Sequence, residues 1–150
     1  MKNKPKIIFV ILVLIIIGTF IYFYKINQKN SIKGCYVAHL AKDVYTLEIT
    51  SQQGDSFQGT LDINNYEKDS STGTLKGTYN NGILLADYTF LSEGIISVGP
   101  VIFKKSGNAF IRGYGPTNEA GDSFPDINNI KFDSSVVYNL SKEGCSTSIQ

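Results

Sequence analysis

The chain has 150 residues and an almost balanced charge. Residues 1–33 carry six lysines and no acidic residue. Residues 34–150 carry eight basic and thirteen acidic residues, which gives them a net charge of −5. The acidic part excludes a nucleic-acid-binding domain, because no large basic surface remains to bind phosphates. Its many aromatic and β-branched residues exclude a disordered chain, so one folded domain is expected behind a basic, apolar leader.

The leader is predicted to be a membrane anchor. Ile7–Tyr24 contains no charged residue, and a helix of this length spans roughly 27 Å, close to the ~30 Å hydrocarbon core of a bilayer. Aromatic residues at its C-terminal end are typical of the membrane interface. The predicted division of the chain is a basic flank at 1–6, a transmembrane helix at 7–26, a linker at 27–33 and a β domain at 34–150.

Two alternatives to an uncleaved anchor remain open. A cleaved signal peptide has a shorter apolar core, of about 7–15 residues, and a site with small residues, which this segment lacks. A lipoprotein carries its cysteine directly after the apolar core. Ile32–Cys35 is similar to the end of such a motif, but Lys33 does not fit it and a polar linker intervenes. Lysines on both sides of the helix slightly favour a cytoplasmic N-terminus.

The two cysteines, Cys35 and Cys145, bracket the acidic domain. Neither lies at a metal-ligand spacing and His39 is the only histidine, so no zinc site is predicted. In a membrane-anchored chain, two bracketing cysteines predict one disulfide between the first and last elements, which indicates an extracytoplasmic domain. Two free, buried thiols in a cytoplasmic domain are the alternative.

The acidic domain is predicted to be all-β. Turn-forming glycines recur at short intervals, and the segments between them alternate apolar and polar residues with period two, which is typical of half-buried strands. Asn81-Gly82 and Gly107-Asn108 predict hairpin turns, and Glu67–Gly73 and Pro116–Asp126 predict loops. The predicted strands are a first strand containing His39, then Val44–Ser51, 57–64, 74–79, Ile83–Leu91, Ile95–Lys105, Ala109–Gly115, Ile127–Phe132 and Val136–Leu140.

A weak internal repeat places a glycine inside three predicted strands, at Phe57–Leu61, Leu75–Tyr79 and Ile111–Gly115. A glycine inside a strand usually marks a bend or a close backbone approach. Repeated bends curl a small antiparallel sheet until it closes. The fold predicted from these features is an antiparallel up-and-down barrel or a strongly curved sandwich.

Several short motifs between Gly34 and Gly115 occur together: Glu67-Lys68-Asp69, Thr72-Gly73, Ala86–Phe90, Ser92-Glu93-Gly94, Ser97-Val98 and Gly113-Tyr114-Gly115. As a set they resemble small uncharacterised bacterial cell-envelope proteins, many of which are lipoprotein-like and have one compact β domain. The resemblance implies an envelope location and an antiparallel β domain, but no activity. This chain departs from the group in having a long anchor in place of a lipobox.

Motifs that suggest catalysis or metal binding have simpler interpretations. Gly-Asp-Ser-Phe occurs twice, ending at Phe57 and Phe124. A hydrolase triad of this type needs a histidine after the serine nucleophile. The only histidine, His39, precedes both Ser56 and Ser123. Asp and Ser are ordinary turn residues. An acidic loop suggests calcium, but its spacing does not match a calcium loop. This loop carries Glu119, Asp122, Asp126 and Asn128. No metal or cofactor is predicted.

Arg112 is the only arginine and lies within a predicted strand. Residues two apart in a strand share a face, so a covered face that holds Phe110 and Tyr114 would also hold Arg112. A buried guanidinium needs a carboxylate partner. The alternatives are a structural ion pair and the opposite strand phase, which buries Ala109 and Ile111 instead. The residues predicted to bind a ligand in a barrel pocket are Arg112, Asp87, Glu93, Glu67 and Tyr114.

Together these features predict a single-pass protein of the cytoplasmic membrane with an extracytoplasmic β domain. Its predicted function is non-catalytic binding of an envelope protein or a small polar ligand, and no nucleic-acid partner is expected. A small hydrolase-like envelope enzyme that uses a carboxylate and arginine pocket is the alternative. A purely structural domain also remains open. A hollow barrel would favour a ligand, and an exposed apolar patch would favour a protein partner.

Overall fold

The computed structural model describes residues 4–29, 31–132 and 139–144. The chain divides into two compact units, Met1–Ile32 and Lys33–Gln150. The first contains helix α1, Lys4–Lys29, and the second contains eight strands. The strands are β1 Gly34–Leu40, β2 Asp43–Gln53, β3 Ser56–Asn64, β4 Ser71–Asn80, β5 Ile83–Ser92, β6 Ile95–Ser106, β7 Ala109–Gly113 and β8 Asn139–Glu143.

Helix α1 exposes apolar side chains on every side. The seven consecutive residues Ile11–Ile17 are all large, apolar and exposed, and at 3.6 residues per turn they cover the whole circumference. The side chains that the structure describes in α1 are those of Ile8, Phe9 and residues 11–22. Within the part of the chain that the structure describes, no helix is long and apolar enough to cross a membrane.

The β domain is a closed eight-stranded antiparallel barrel. Each strand pairs with the next one along the chain, and β8 pairs with β1 to close the sheet. The up-and-down barrel predicted from the sequence is therefore confirmed, and the curved sandwich is not formed. Closure satisfies the hydrogen-bonding groups that the first and last strands of an open sheet would expose.

The inner faces of the strands form the core. Along β2, for example, Tyr45, Leu47 and Ile49 are buried while the residues between them are only partly covered, as the period-two pattern predicted. Tyr36 and Phe110 pack edge to face with ring centroids 4.8 Å apart, a geometry that aromatic pairs favour. The residues with relative exposure of 1% or less on the inner face are Tyr36, Leu47, Leu61, Leu75, Leu84, Phe103, Phe110 and Leu140.

Glycines inside the strands allow the sheet to bend, as the internal repeat predicted. A Cβ added at Gly77 would overlap the Leu85 carbonyl oxygen and lie 2.6 Å from the Cα of Ala86. A Cβ at Gly59 would likewise overlap the carbonyl oxygen of Glu48, next to a β-bulge in β2. Neighbouring strands therefore approach more closely at these positions than any side chain would permit.

The barrel has two ends that carry different elements. The lower end holds the hairpin turns Gly54-Asp55, Asn81-Gly82 and Gly107-Asn108, together with the start of β1 and the end of β8. Asn81 and Gly82 have φ values of 50° and 79°, so the two predicted hairpins are confirmed. The upper end holds the other turns and the long connection between β7 and β8.

Three predicted segments differ from the structure. Ile127–Phe132 is not a strand: Ile127–Asn129 is a short 3-10 helix, because the Asp126 carboxylate accepts a hydrogen bond from the Asn128 backbone N–H and starts the turn. The predicted loop Glu67–Gly73 is too long, since β4 already begins at Ser71, which pairs with Ile63. The predicted strand Val136–Leu140 lies partly outside the described residues, and β8 covers Asn139–Glu143.

Among the described residues, the pairing of β7 and β8 with their neighbours covers only part of the upper wall. Strand β6 pairs with β7 only from Ile102 onward, so among the described strands Ile95–Val101 pairs with β5 alone. On the far side, β1 pairs with β8 only over Cys35–Val37. Outside this region, Ile130 packs against the position of Gly113, so the β7–β8 connection covers part of the outer face.

Candidate ligand site at the upper barrel mouth

Arg112 lies at the upper end of β7 on the face that points into the barrel. Its register partner on β6 is Phe103, which is completely buried, and cross-strand partners share a face. Of the two strand phases considered from the sequence, the structure therefore adopts the inward one. The guanidinium carbon lies 5.2 Å from the centre of the Tyr114 ring. This is the distance of a cation–π contact, which holds the guanidinium at the mouth of the barrel.

Two further tyrosines reach the same end of the barrel from distant strands. The Tyr45 hydroxyl, on β2, donates to Asn65 Oδ1 at 2.9 Å. The Tyr88 hydroxyl, on β5, donates to the Leu61 carbonyl oxygen at 2.9 Å and lies 3.1 Å from the Ser71 hydroxyl. These hydrogen bonds hold the two phenols in defined positions within the upper half of the barrel.

Burial and nearby charges, including that of Arg112, shift the pKa values of both phenols. Burial raises the pKa of both Tyr45 and Tyr88 above 10.0, and the Arg112 charge partly offsets the rise in each case. Asp43 raises the pKa of Tyr45 further. Both phenols are therefore protonated near neutral pH and can act as neutral hydrogen-bonding groups beside the guanidinium.

Open space lies next to Tyr88. Its register partner on β6 is Gly99, so a side chain at Gly99 would point inward. A Cβ added there meets no atom within 4 Å, unlike one added at Gly77. Phe90 stacks on Tyr88 with ring centroids 4.7 Å apart and an interplanar angle of 15°. The upper half of the barrel thus combines the Arg112 guanidinium, the Asp43 carboxylate beside Tyr45, neutral hydroxyls, aromatic faces and open space at Gly99.

An open groove of about 480 Å³ runs along the outside of the same end. The hydroxyl of Thr72 donates to the carboxylate of Asp62 within it, and burial, with the nearby charge of Glu48, raises the pKa of Asp62. Ser71 both lines the groove and contacts the Tyr88 hydroxyl. The groove is lined by Val44, Thr46, Asp62, Ile63, Asn64, Ser70, Ser71, Thr72 and Leu91.

The structure brings together only two of the predicted site residues, Arg112 and Tyr114. Asp87 lies on the outer face of β5, opposite Lys76 and Pro100, so the expectation that it pairs with Arg112 is corrected. Its exposure follows from the strand register, because the inner face of β5 carries Tyr88 instead.

The two glutamates predicted for the site lie in turns. Glu93 occupies the β5–β6 turn and Glu67 the β3–β4 turn, and both are exposed with positive φ values of 51° and 56°. They were predicted as partners of Arg112 because, with Asp87, they are the nearest acidic candidates in the hairpin-linked strands. Tyr45, Tyr88 and Gly99 were missed as site residues, since in the sequence alone their alternation indicates only an inner face.

The other candidates stay separate from this site. Ser56 begins β3 at the lower end, whereas the exposed His39 lies near the upper end of β1. In the acidic loop, the Asn118 side chain donates to Asp122 at 2.7 Å, and Asp126 caps the 3-10 helix. Across the described residues, no group of three or more His, Cys, Asp or Glu side chains could hold a metal ion.

Cys35 is 2% exposed at the start of β1 and is not a free thiol. Its register partner on β8 is Glu143. Cys145 lies outside the described residues, so the pairing of Cys35 with Cys145 stays a prediction.

Comparison with known proteins does not assign the chain to a family. No protein-family model matches the chain, and no curated protein or solved structure is significantly similar to it. The resemblance to bacterial envelope proteins therefore stays a prediction, and function has to be inferred from the residues that meet in the barrel.

Proposed function

We propose that the chain is a non-catalytic binding module of the cell envelope, whose barrel holds a small polar ligand with an anionic group at its upper mouth. The observation that carries the proposal is the placement of Arg112, Tyr45 and Tyr88 on the inner face of three strands, with open space at Gly99, the register partner of Tyr88. Eight-stranded barrels are wide enough either to be filled by side chains or to hold one small ligand.

Each part of the site matches one part of such a ligand. The guanidinium of Arg112 presents a planar set of donors suited to a carboxylate or phosphate group. Tyr114 is 47% exposed at the rim, and its ring can cover a ligand that has entered. A mainly apolar wall with a few convergent polar groups is the usual composition of a small-molecule site.

We also propose, from the sequence of residues 7–26, that this segment anchors the domain in the cytoplasmic membrane, with the β domain on the extracytoplasmic side. The uncharged run Ile7–Tyr24 supports the anchor, and so does the apolar surface around all of Ile11–Ile17. A helix that lies in the membrane interface needs a polar face, which this segment lacks. The predicted Cys35–Cys145 disulfide supports the extracytoplasmic side, where such bonds persist.

Anchoring is tested with the full chain in a membrane fraction. We expect the chain to keep its full length, to stay in the pellet during alkaline extraction, and to lose its β domain to protease added to spheroplasts. Replacing Leu14 and Ile15 by Asp should release the protein, because a charge in the centre of a helix costs about 2.5–3.5 kcal/mol on insertion scales. Replacing the same two residues by Phe is the control and should change nothing. Protection of the β domain from protease would contradict the proposed orientation.

Ligand binding is tested with Arg112→Leu and a defined probe, the aromatic anion anilinonaphthalene sulfonate. We expect the folded wild-type chain to enhance the fluorescence of the probe and the variant to bind it about tenfold or more weakly, a loss of roughly 1.4 kcal/mol or more. Gly99→Leu should weaken binding as well, because its side chain fills the open space beside Tyr88.

Thermal unfolding of each variant separates binding from stability. Arg112→Leu with an unchanged midpoint and weakened binding supports the ligand site. A lower midpoint with unchanged binding shows that Arg112 is a structural residue, because removal of one charge leaves its partner groups unsatisfied. Lys104→Leu, on the exposed outer face of β6, is the matched control for loss of one positive charge. An unchanged midpoint together with unchanged binding in Arg112→Leu would refute the site.

A further inference from the structure

Two lysines converge on one aromatic ring at the lower end of the barrel, away from the site described above. Lys105 on β6 and Lys142 on β8 each place their Nζ atom 5.9 Å from the centre of the Tyr36 ring. Lys105 Nζ also lies 5.2 Å from the centre of the Phe110 ring. The register partners of the two lysines are Phe110 and Tyr36, both completely buried, so both lysine stems lie on the inner face.

No described carboxylate balances these two charges. Burial lowers the pKa of Lys105, and the neighbouring charge of Lys142 lowers it further, with no acid acting in the opposite direction. The nearest acid in sequence, Glu143, pairs with Cys35 and therefore lies on the other face of β8. Two like charges over a partly desolvated ring repel each other, and a bound anion would relieve the repulsion.

The start of β1 makes room for this arrangement. Gly34 has a φ of 134°, and a Cβ added there would lie 3.0 Å from Cε of Lys142. A larger residue at this position would therefore displace the Lys142 stem from the mouth. Cation–π contact with Tyr36 alone would explain one lysine at the ring, but it gives no reason to bring a second charge to the same ring.

We propose that the lower mouth binds a phosphate group between Lys105 and Lys142, above the ring of Tyr36. Lysine ammonium groups are common phosphate ligands that act as point charges, and two of them match the charge of a phosphate dianion. A free phosphate compound and the headgroup of an anionic lipid share this chemistry. The inference rests only on lower-end residues and is independent of ligand binding at Arg112.

The test measures binding by calorimetry with the full chain in zwitterionic detergent micelles at constant ionic strength. The probes are inorganic phosphate and phosphatidic acid added to the micelles. We expect the wild-type chain to bind at least one of them, and Lys105→Met and Lys142→Met each to weaken that binding about tenfold or more. Lys104→Met, one residue along β6 on the opposite face, is the matched control and should bind as the wild type does.

The outcomes separate the two sources of phosphate and can overturn the proposal. Binding of phosphatidic acid about tenfold or more tighter than inorganic phosphate assigns the site to a lipid headgroup, and equal or weaker binding assigns it to a free phosphate compound. Absence of binding to both probes overturns the proposal, as does an equal loss in Lys104→Met. Lys142 is exposed, so Lys142→Met keeps the test valid even if Lys105→Met fails to fold.

Discussion

Gly77→Ala is expected to destabilise the barrel by about 3 kcal/mol or more, because the added methyl group cannot be accommodated without moving a strand. Its Cβ would overlap the Leu85 carbonyl oxygen and lie 2.7 Å from the Cβ of Ala86. Both obstacles belong to the paired strand β5, so relief requires breaking the β4–β5 ladder. Urea unfolding followed by circular dichroism would show a lower midpoint or no folded state.

Gly99→Ala is the matched control for this experiment. It makes the same chemical change inside β6, the strand on the other side of β5, but the new Cβ meets nothing within 4 Å. We expect its stability to stay the same or to rise by about 0.4–1 kcal/mol, because alanine reduces the freedom of the unfolded chain. Equal destabilisation of both variants would show that the loss comes from strand glycines in general and not from the close approach of β4 to β5.

Loss of the predicted disulfide is expected to have an effect of similar size or larger. A bond between Cys35 and Cys145 closes a loop of about 100 residues, for which the chain-entropy model gives roughly 4–5 kcal/mol. The structure is compatible with such a bond, because Cys35 is not a free thiol and its register partner Glu143 is two residues from Cys145 in sequence. We expect Cys145→Ala to lower the free energy of unfolding of the full chain by that amount.

A reducing agent provides the control for the disulfide. It should destabilise the wild-type chain as much as Cys145→Ala does and should have no further effect on that variant. Intact mass measurement after alkylation of the native, unreduced protein should show no modified thiol. Two alkylated cysteines in the native protein would contradict the pairing and would remove one of the two arguments for an extracytoplasmic domain.

The two proposed sites occupy opposite ends of one core. The centre of the barrel is filled by large side chains such as Leu47, Leu61 and Phe103. On the described strands, the charged residues of the inner face lie near the mouths, with Asp43 and Arg112 above and Lys105 and Lys142 below. Charged groups are tolerated there because their heads stay near water while their stems cover apolar surface. Binding at one end should therefore leave the other end unchanged in the variants described.

The positions of most strands were predictable from the sequence, because buried and exposed residues alternate along each strand of an antiparallel sheet and the sequence alternates apolar and polar residues in the same way. Alternation along β2 identified its inner face before any partner was known, and the glycines at 82 and 107 marked the hairpin turns. Alternation failed at Ile127–Phe132, where the hydrogen bond that the Asp126 carboxylate accepts from the Asn128 backbone N–H outweighed a short apolar pattern. Such local competition leaves little trace in periodicity.

The composition of the sites was decided by the tertiary structure. Alternation indicated that Tyr45 faces inward but left the phase of Arg112 open. Register with the buried Phe103 turns Arg112 inward, and register with Lys76 and Pro100 places Asp87 on the outer face. Lys105 and Lys142 meet at Tyr36 because β8 closes the sheet between β7 and β1. The sequence by itself thus indicated the inner face of strands with clear alternation, such as β2, since that depends on local pattern. Closure of the barrel decided which residues meet, since that depends on register between strands far apart in the chain.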